Sequence, residues 1–126
     1  MTNSLPLTSR SLPIALLRAR ERVMGPIRSV LADAGITEQQ WRVLRVLQEE
    51  GPQEPTQISE RACLSLPSLT RILKKLEDKK LIKRQAVEKD RRRQIVEITK
   101  EGMQIIHANL PEMLRLAAQT RELMGG

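Results

Sequence analysis

The chain has almost no aromatic side chains: of 126 residues one is Trp, and there is no Tyr and no Phe. Proteins that hold single-stranded nucleic acid commonly stack its bases on aromatic rings, so this composition weighs against that mode. The single cysteine, Cys63, rules out an intrachain disulfide. The single histidine, His107, leaves no cluster able to hold a metal. Neither a metal nor another cofactor is therefore expected, and a reducing cytoplasm is the expected location. No signal peptide is recognisable, and the apolar runs are only a few residues long, too short to span a membrane. A glycine-rich phosphate loop is missing too, as are paired carboxylates or a His–Cys pair placed for catalysis. Glu49 and Glu50 read as solvated, so an enzyme is not expected.

What is abundant is positive charge, and it is concentrated. The formal net charge is +7. Between residues 71 and 100, twelve Lys and Arg face five Asp and Glu, so that window alone carries +7. Outside it, ten basic residues balance ten acidic ones. A charge excess confined to one stretch is the footprint of a surface that meets phosphates, in nucleic acid or at an anionic membrane. The length allows a single domain, 1–126, or a protomer that completes its core by oligomerising.

Taken in order, residues 1–11 read as loose. A helix is expected to start near Ser11, with Pro13 in its first turn and apolar positions Leu12, Leu16, Ala19, Val23, Ile27, Val30 and Leu31 at helical spacing. Gly25-Pro26 predicts a kink or a break, and Gly35 ends the helix. Such a helix serves as a scaffold or dimerisation arm, or is a plain surface helix. Thr37 to Gln40 reads as a capping box, opening a helix with Trp41, Val43, Leu44, Val46 and Leu47. A short helix follows at about 57–62. The next runs from about Ser65 to Lys79, with an inward stripe at Leu69, Ile72, Leu73 and Leu76. Its other face carries Pro67, Arg71, Lys74 and Asp78, flanked by Ser68, Thr70 and Lys75.

Leu81–Val87 and Gln94–Thr99 read as strands around a charged turn at 88–93. Two strands alone are marginal, so they must pack on the helices. Thr99 caps a last helix that contains Gly102, and Pro111 bends or interrupts it. The fold class is mainly α with one small β-hairpin: a helix-turn-helix followed by a wing.

Three motifs resemble the MarR family of bacterial winged-helix regulators. LPSLTRILKKLEDKKLIKR (66–84) is similar to the family's recognition helix and following strand. Asp90-Arg91-Arg92, with Ile98-Thr99 eight and nine positions after Asp90, resembles its wing signature. ITEQQWRVLRVL (36–47), with ALLRARE (15–21) and RACLSLPSLT (61–70), is similar to regulators of homoprotocatechuate degradation operons within that family. The resemblance covers about residues 12–105. It departs from the pattern at Lys80, where relatives commonly have glycine, which points to a left-handed residue there. The C-terminus is also short, and the final family helix is expected to be missing or reduced.

The resemblance implies a winged-helix DNA-binding core at 37–99 and dimerisation helices at 12–34 and 100–124. It implies a homodimer on a pseudo-palindromic operator in double-stranded DNA, with the two reading heads about one turn, ~34–36 Å, apart. Pro67, Ser68, Thr70 and Arg71 would reach base edges or nearby phosphates, with Arg71 reading guanine, and Lys74 and Lys75 would touch phosphates. Arg92 would enter the minor groove, oriented by Asp90, with Arg91 and Arg93 on the backbone. It also implies a small aromatic carboxylate as effector. Candidate cations for the carboxylate are Arg20, Arg42 and Arg45, and candidate walls are Met24, Trp41 and Cys63. Competing with these roles, Arg42 is placed to pair with Glu38, Trp41 to be plain core, and Cys63 to be packing in an apolar turn.

The expected function is thus sequence-specific transcriptional regulation, as a repressor of an aromatic-acid catabolic operon. The alternative is a winged helix that binds protein or RNA and has no aromatic inducer. A peripheral membrane role is disfavoured, because the apolar stripe beside the lysines is needed for the core.

Overall fold

The computed structural model describes residues 4–123, with side chains from 12 to 119. Helix α1 (Ser4–Asp33) leads into α2 (Glu38–Glu50), α3 (Pro55–Ala62) and α4 (Leu66–Asp78). An antiparallel hairpin of β1 (Ile82–Val87) and β2 (Asp90–Ile98) follows, and α5 (Lys100–Leu123) closes the chain. Residues 1–3 and 124–126 of the expected single domain lie outside the described residues, as does the side chain of Ser11, the expected cap. Among the described residues no helix is long and apolar enough to cross a membrane.

Two expectations about the outer helices need correction. α1 begins at Ser4, well before Ser11, and so takes in most of the segment read as loose. The break allowed at Gly25-Pro26 does not occur, since α1 is helical through Pro13 and Pro26, as α5 is through Pro111. Pro26 and Pro111 lie on exposed faces. The carbonyl that each proline leaves without a donor can be met there by water, which lowers the cost of keeping the helix.

The inner helices start and stop as their sequences dictate. Gln40 N donates to Thr37 Oγ1 at 3.0 Å and Thr37 N to Gln40 Oε1 at 3.1 Å, completing the capping box of α2. Ser65 Oγ accepts from Ser68 N at 3.3 Å and caps α4, with Pro67 in its first turn. Cys63 closes α3 in the left-handed region, at φ 55°. It is exposed there, so the expectation that it packs in an apolar turn is not met. Lys80 ends the turn after α4 at φ 63°, the left-handed conformation anticipated for it.

The hairpin is longer than predicted, because Asp90–Arg93 belong to β2 and the turn shrinks to Glu88-Lys89. Pairing runs regularly from Ile82 with Ile98 to Ala86 with Gln94, then slips so that Val87 faces Asp90. The slip leaves Arg91, Arg92 and Arg93 without cross-strand partners, and a bulge of this kind re-aims side chains out of the sheet. Gln53 adds a bridge to the other edge of β2: its N donates to Val96 O at 3.0 Å and accepts through its carbonyl from Val96 N at 2.7 Å.

The core sits among α2, α3, α4 and the hairpin. Leu44, Ile58, Leu69, Leu73, Leu76 and Val96 are buried, each contributing about 1.5–3 kcal/mol against exposure. Leu31 of α1 and Ile106 of α5 are buried with them, so the near ends of both outer helices belong to the same core. Far from it, Leu12, Ile14, Leu16 and Leu17 of α1 are 50–63% exposed, and Leu114 of α5 is 54% exposed. The inward stripe read into the first half of α1 is therefore not covered by its own chain.

Candidate nucleic-acid interface

The basic window divides into side chains that hold the fold and side chains that face outward. Arg84 pairs with Glu77 at 2.9 Å and Lys83 with Glu97 at 3.1 Å across the hairpin. Lys79 donates to Gly35 O at 2.7 Å and to Gln40 Oε1 at 3.2 Å. Arg93 Nε donates to Glu54 Oε1 at 2.6 Å. That pairing ties the base of the wing to the segment before α3, while the Arg93 side chain stays 56% exposed. The hydrogen bond from Arg93 lowers the Glu54 carboxyl from its ordinary value, against partial desolvation and with added help from the positive charge.

The outward set is what remains. The buried stripe of α4 turns Pro67, Thr70, Arg71, Lys74 and Lys75 to the exposed side, with Ser68 half-buried between them. Thr70 Oγ1 donates back to Leu66 O at 2.9 Å, so its hydroxyl offers only acceptor capacity outward. Arg71 reaches Ser68 Oγ at 3.5 Å, and both line a shallow crevice with Lys75 and the N-terminal residues of α2. Among the described residues Lys74, Lys75 and Arg91 show no ion pair. At the wing Asp90 Oδ1 accepts from Arg92 N at 3.1 Å and lies 3.5 Å from Arg92 Nε, while the Arg92 side chain is 93% exposed. Asp90 therefore fixes the Arg92 backbone more firmly than its guanidinium, which projects from the bulge.

Of the six residues singled out for an effector, Arg20 and Met24 share one cavity, and Arg42 meets Cys63, donating to its carbonyl oxygen at 3.4 Å. Arg20 and Met24 line a cavity of about 350 Å³ between α1 and the start of α2, with Ile36, Thr37, Glu38 and Gln39. Arg28 lines it as well. Its guanidinium is held by Glu21 at 2.6 and 2.9 Å. Trp41 is buried core at 6% exposure. Arg42 pairs with Glu38 at 2.9 Å and donates to Ala62 O at 2.8 Å, while Arg45 pairs with Glu49 at 2.8 Å. Cys63 sits at the exposed turn between α3 and α4. Glu54 and Gln53 escape sequence reasoning, because the partners Arg93 and Val96 are 39 and 43 positions away, beyond any local pattern.

Two helices joined by a tight turn, the second one basic, and a hairpin with an arginine bulge define a winged helix-turn-helix. The chain belongs to the MarR family, whose model matches residues 36–93. The homoprotocatechuate degradative operon repressor of Escherichia coli is 41% identical over 92 residues, which is 73% of this chain and 62% of the repressor. The structure of NadR in complex with 4-hydroxyphenylacetate has 35% identity and a TM-score of 0.75, covering 90% of this chain and 81% of that one. The structure of overoxidized AbfR bound to DNA has 28% identity and a TM-score of 0.81, covering 91% and 85%. The chain spans 62–63% of the length of the curated relatives that it matches at 41% identity.

Proposed function

We propose that this chain is a sequence-specific double-stranded DNA-binding regulator, a repressor of an aromatic-acid catabolic operon that acts in the cytoplasm as a homodimer. The observation that carries the reading is the outward cation set. Arg71, Lys74 and Lys75 on α4 and Arg91 and Arg92 at the wing are exposed, and among the described residues only Arg92 of these pairs with a carboxylate, its own Asp90. On this reading α4 enters the major groove, with Pro67, Ser68, Thr70 and Arg71 toward base edges and Lys74 and Lys75 on phosphates. Arg92 enters the minor groove and Arg91 meets the backbone. Residues 37–99 act as the reading head, and 12–34 with 100–124 as the dimerisation helices, which would cover the exposed leucines of α1.

A small aromatic carboxylate releases the DNA. Support comes from the similarity to a homoprotocatechuate operon repressor and to NadR, which binds 4-hydroxyphenylacetate. The cavity beside α1 has the volume such ligands need and two arginines in its wall, Arg20 and Arg28. Release requires the ligand to bind the DNA-free arrangement more tightly than the DNA-bound one.

The test is a titration of duplex DNA from the protein's own upstream region against a scrambled duplex at one salt concentration, repeated with 4-hydroxyphenylacetate. Tight binding to the first duplex alone, weakened by the acid, is the expected result. Specific binding that the acid leaves unchanged removes the effector. Equal weak binding to both duplexes, falling steeply with salt, leaves only the charge, and the protein- or RNA-binding module then takes precedence.

A further inference from the structure

We infer that Lys79 is a positioning residue that ties the last turn of α4 to the turn between α1 and α2, so that the recognition helix and one wall of the cavity move as a unit. Lys79 is the residue that closes α4. Its ammonium does not join the outward cations beside it. It donates to Gly35 O at 2.7 Å and to Gln40 Oε1 at 3.2 Å, residues 44 and 39 positions back in the chain. Gln40 is 4% exposed, and the same Oε1 accepts from Thr37 N at 3.1 Å. One buried amide oxygen therefore holds both the cap of α2 and the end of the recognition helix.

The geometry connects this clasp with the cavity. Thr37, whose N–H shares that oxygen, is one of the cavity's lining residues, and so is Ile36 beside it. A molecule that displaces Thr37 changes what Gln40 can offer to Lys79. The next two residues of the turn are anchored from the opposite side. Thr99 Oγ1 donates to Lys80 O at 2.8 Å, and Thr99 N donates to Leu81 O at 3.0 Å, just before α5 begins. The end of α4 is thus bonded to Thr99 just before α5, and its side-chain hydrogen bonds to the α1–α2 turn come, among the described residues, from one long flexible side chain. The flexible link is the one that can be made and broken without unfolding the junction. Coupling between sites needs a physical element that both sites bias, and this side chain is such an element. Its consequence for DNA release rests on the regulator reading, but the clasp itself does not.

The test begins with amide hydrogen exchange in the free protein. In Lys79→Met, which keeps the side-chain stem, the Thr37 and Trp41 amides should exchange at least tenfold faster than in the wild type, and Lys79→Arg should restore most of the protection. Gln40→Glu keeps an acceptor for Thr37 and gives Lys79 a carboxylate, so exchange at those amides should slow at least threefold, provided Lys79 is present. A change confined to residues 79–81, or none, overturns the clasp. The second arm titrates duplex DNA with and without 4-hydroxyphenylacetate. Lys79→Met should keep the wild-type salt dependence while the acid's effect on affinity shrinks at least threefold. A salt slope reduced by about one, with the acid's effect intact, would make Lys79 a phosphate contact and overturn the positioning role. A wild-type protein that binds no duplex, or ignores the acid, refutes the functional reading instead, and the exchange arm still decides the clasp.

Discussion

Arg93 reaches back from the wing to Glu54, with its Nε 2.6 Å from Oε1, and so fixes the base of the arginine bulge to the residue that precedes α3. The contact joins two segments 39 positions apart and sits beside the Gln53–Val96 bridge. The wing is therefore held at its base, while Arg91 and Arg92 stay outward.

This pair gives the wing a pH dependence. The hydrogen bond from Arg93 holds the Glu54 carboxyl below its ordinary value, with partial desolvation opposing and the guanidinium charge assisting. A carboxyl lowered in the folded state contributes stability above the unfolded value, and that contribution is lost as pH falls through the folded one. Glu54→Gln should therefore melt slightly below the wild type at pH 7, and the two should converge once pH drops below the carboxylate range. Melting curves of both proteins from pH 3 to 7 check this; a gap that persists at the acid end would assign the effect to packing rather than to the charge.

Arg92 is 93% exposed and, among the described residues, its one ion pair is with Asp90, so removing its side chain should leave the fold alone. Arg92→Ala should weaken operator binding tenfold or more at fixed salt, with an unchanged melting temperature. An unchanged affinity would take the wing out of the mechanism.

Arg71 and Lys74 share the exposed face of α4 but should fail in different ways. A guanidinium that reads a base edge discriminates by ~1–3 kcal/mol, so Arg71→Ala should lose affinity for the operator and tolerate changes at one base pair. A phosphate contact carries no sequence information, so Lys74→Ala should weaken all duplexes alike and lower the salt slope by about one. Binding isotherms on a panel of single-substitution operators at several salt concentrations separate the two. Identical behaviour of both variants would mean that neither reads sequence.

Local signals carried much of this architecture. The Thr37–Gln40 box and the stripe at Leu69, Ile72, Leu73 and Leu76 were readable because each depends on residues three or four apart. The left-handed Lys80 was anticipated from resemblance, not from its own chemistry. Three features were hidden for physical reasons. Asp90–Arg93 have the composition of a turn, yet a register slip makes them strand. Gln53 follows a proline and bears no strand propensity, yet it pairs with Val96 through its backbone alone. Arg28 lies off the apolar stripe of α1, which is where a crevice between crossing helices finds its polar wall.

Gly102 lies in the first turn of α5, pressed against the junction that follows α4. A Cβ there would collide with the Leu81 carbonyl oxygen and come 2.6 Å from Ile98 Cγ1. Alanine ordinarily stabilises a helix by about 1 kcal/mol over glycine. Leu81 O cannot retreat, however, because Thr99 N is bonded to it at 3.0 Å. The clash should win, and Gly102→Ala should lower stability by about 1–2 kcal/mol. Urea unfolding gives the number directly; a variant more stable than the wild type would show that the junction has slack.

The exposed leucines of α1 lead to the last expectation. Leu16 and Leu17 are 63% and 62% exposed, and they sit far from the core that α1 joins at Leu31. Fully covering a leucine contributes about 1.5–3 kcal/mol, so this face supplies part of the driving force for a second copy to pack against it. A charge in that face opposes association and costs the protomer little, because no core contact is lost. Leu17→Asp should therefore sediment as a monomer at concentrations where the wild type is a dimer, with its helical circular dichroism retained. Its operator affinity should fall steeply as well, since two half-sites can no longer be bound together. A variant that keeps the dimer mass would place the interface on another face of the chain, and the leucines of α1 would then need a different partner.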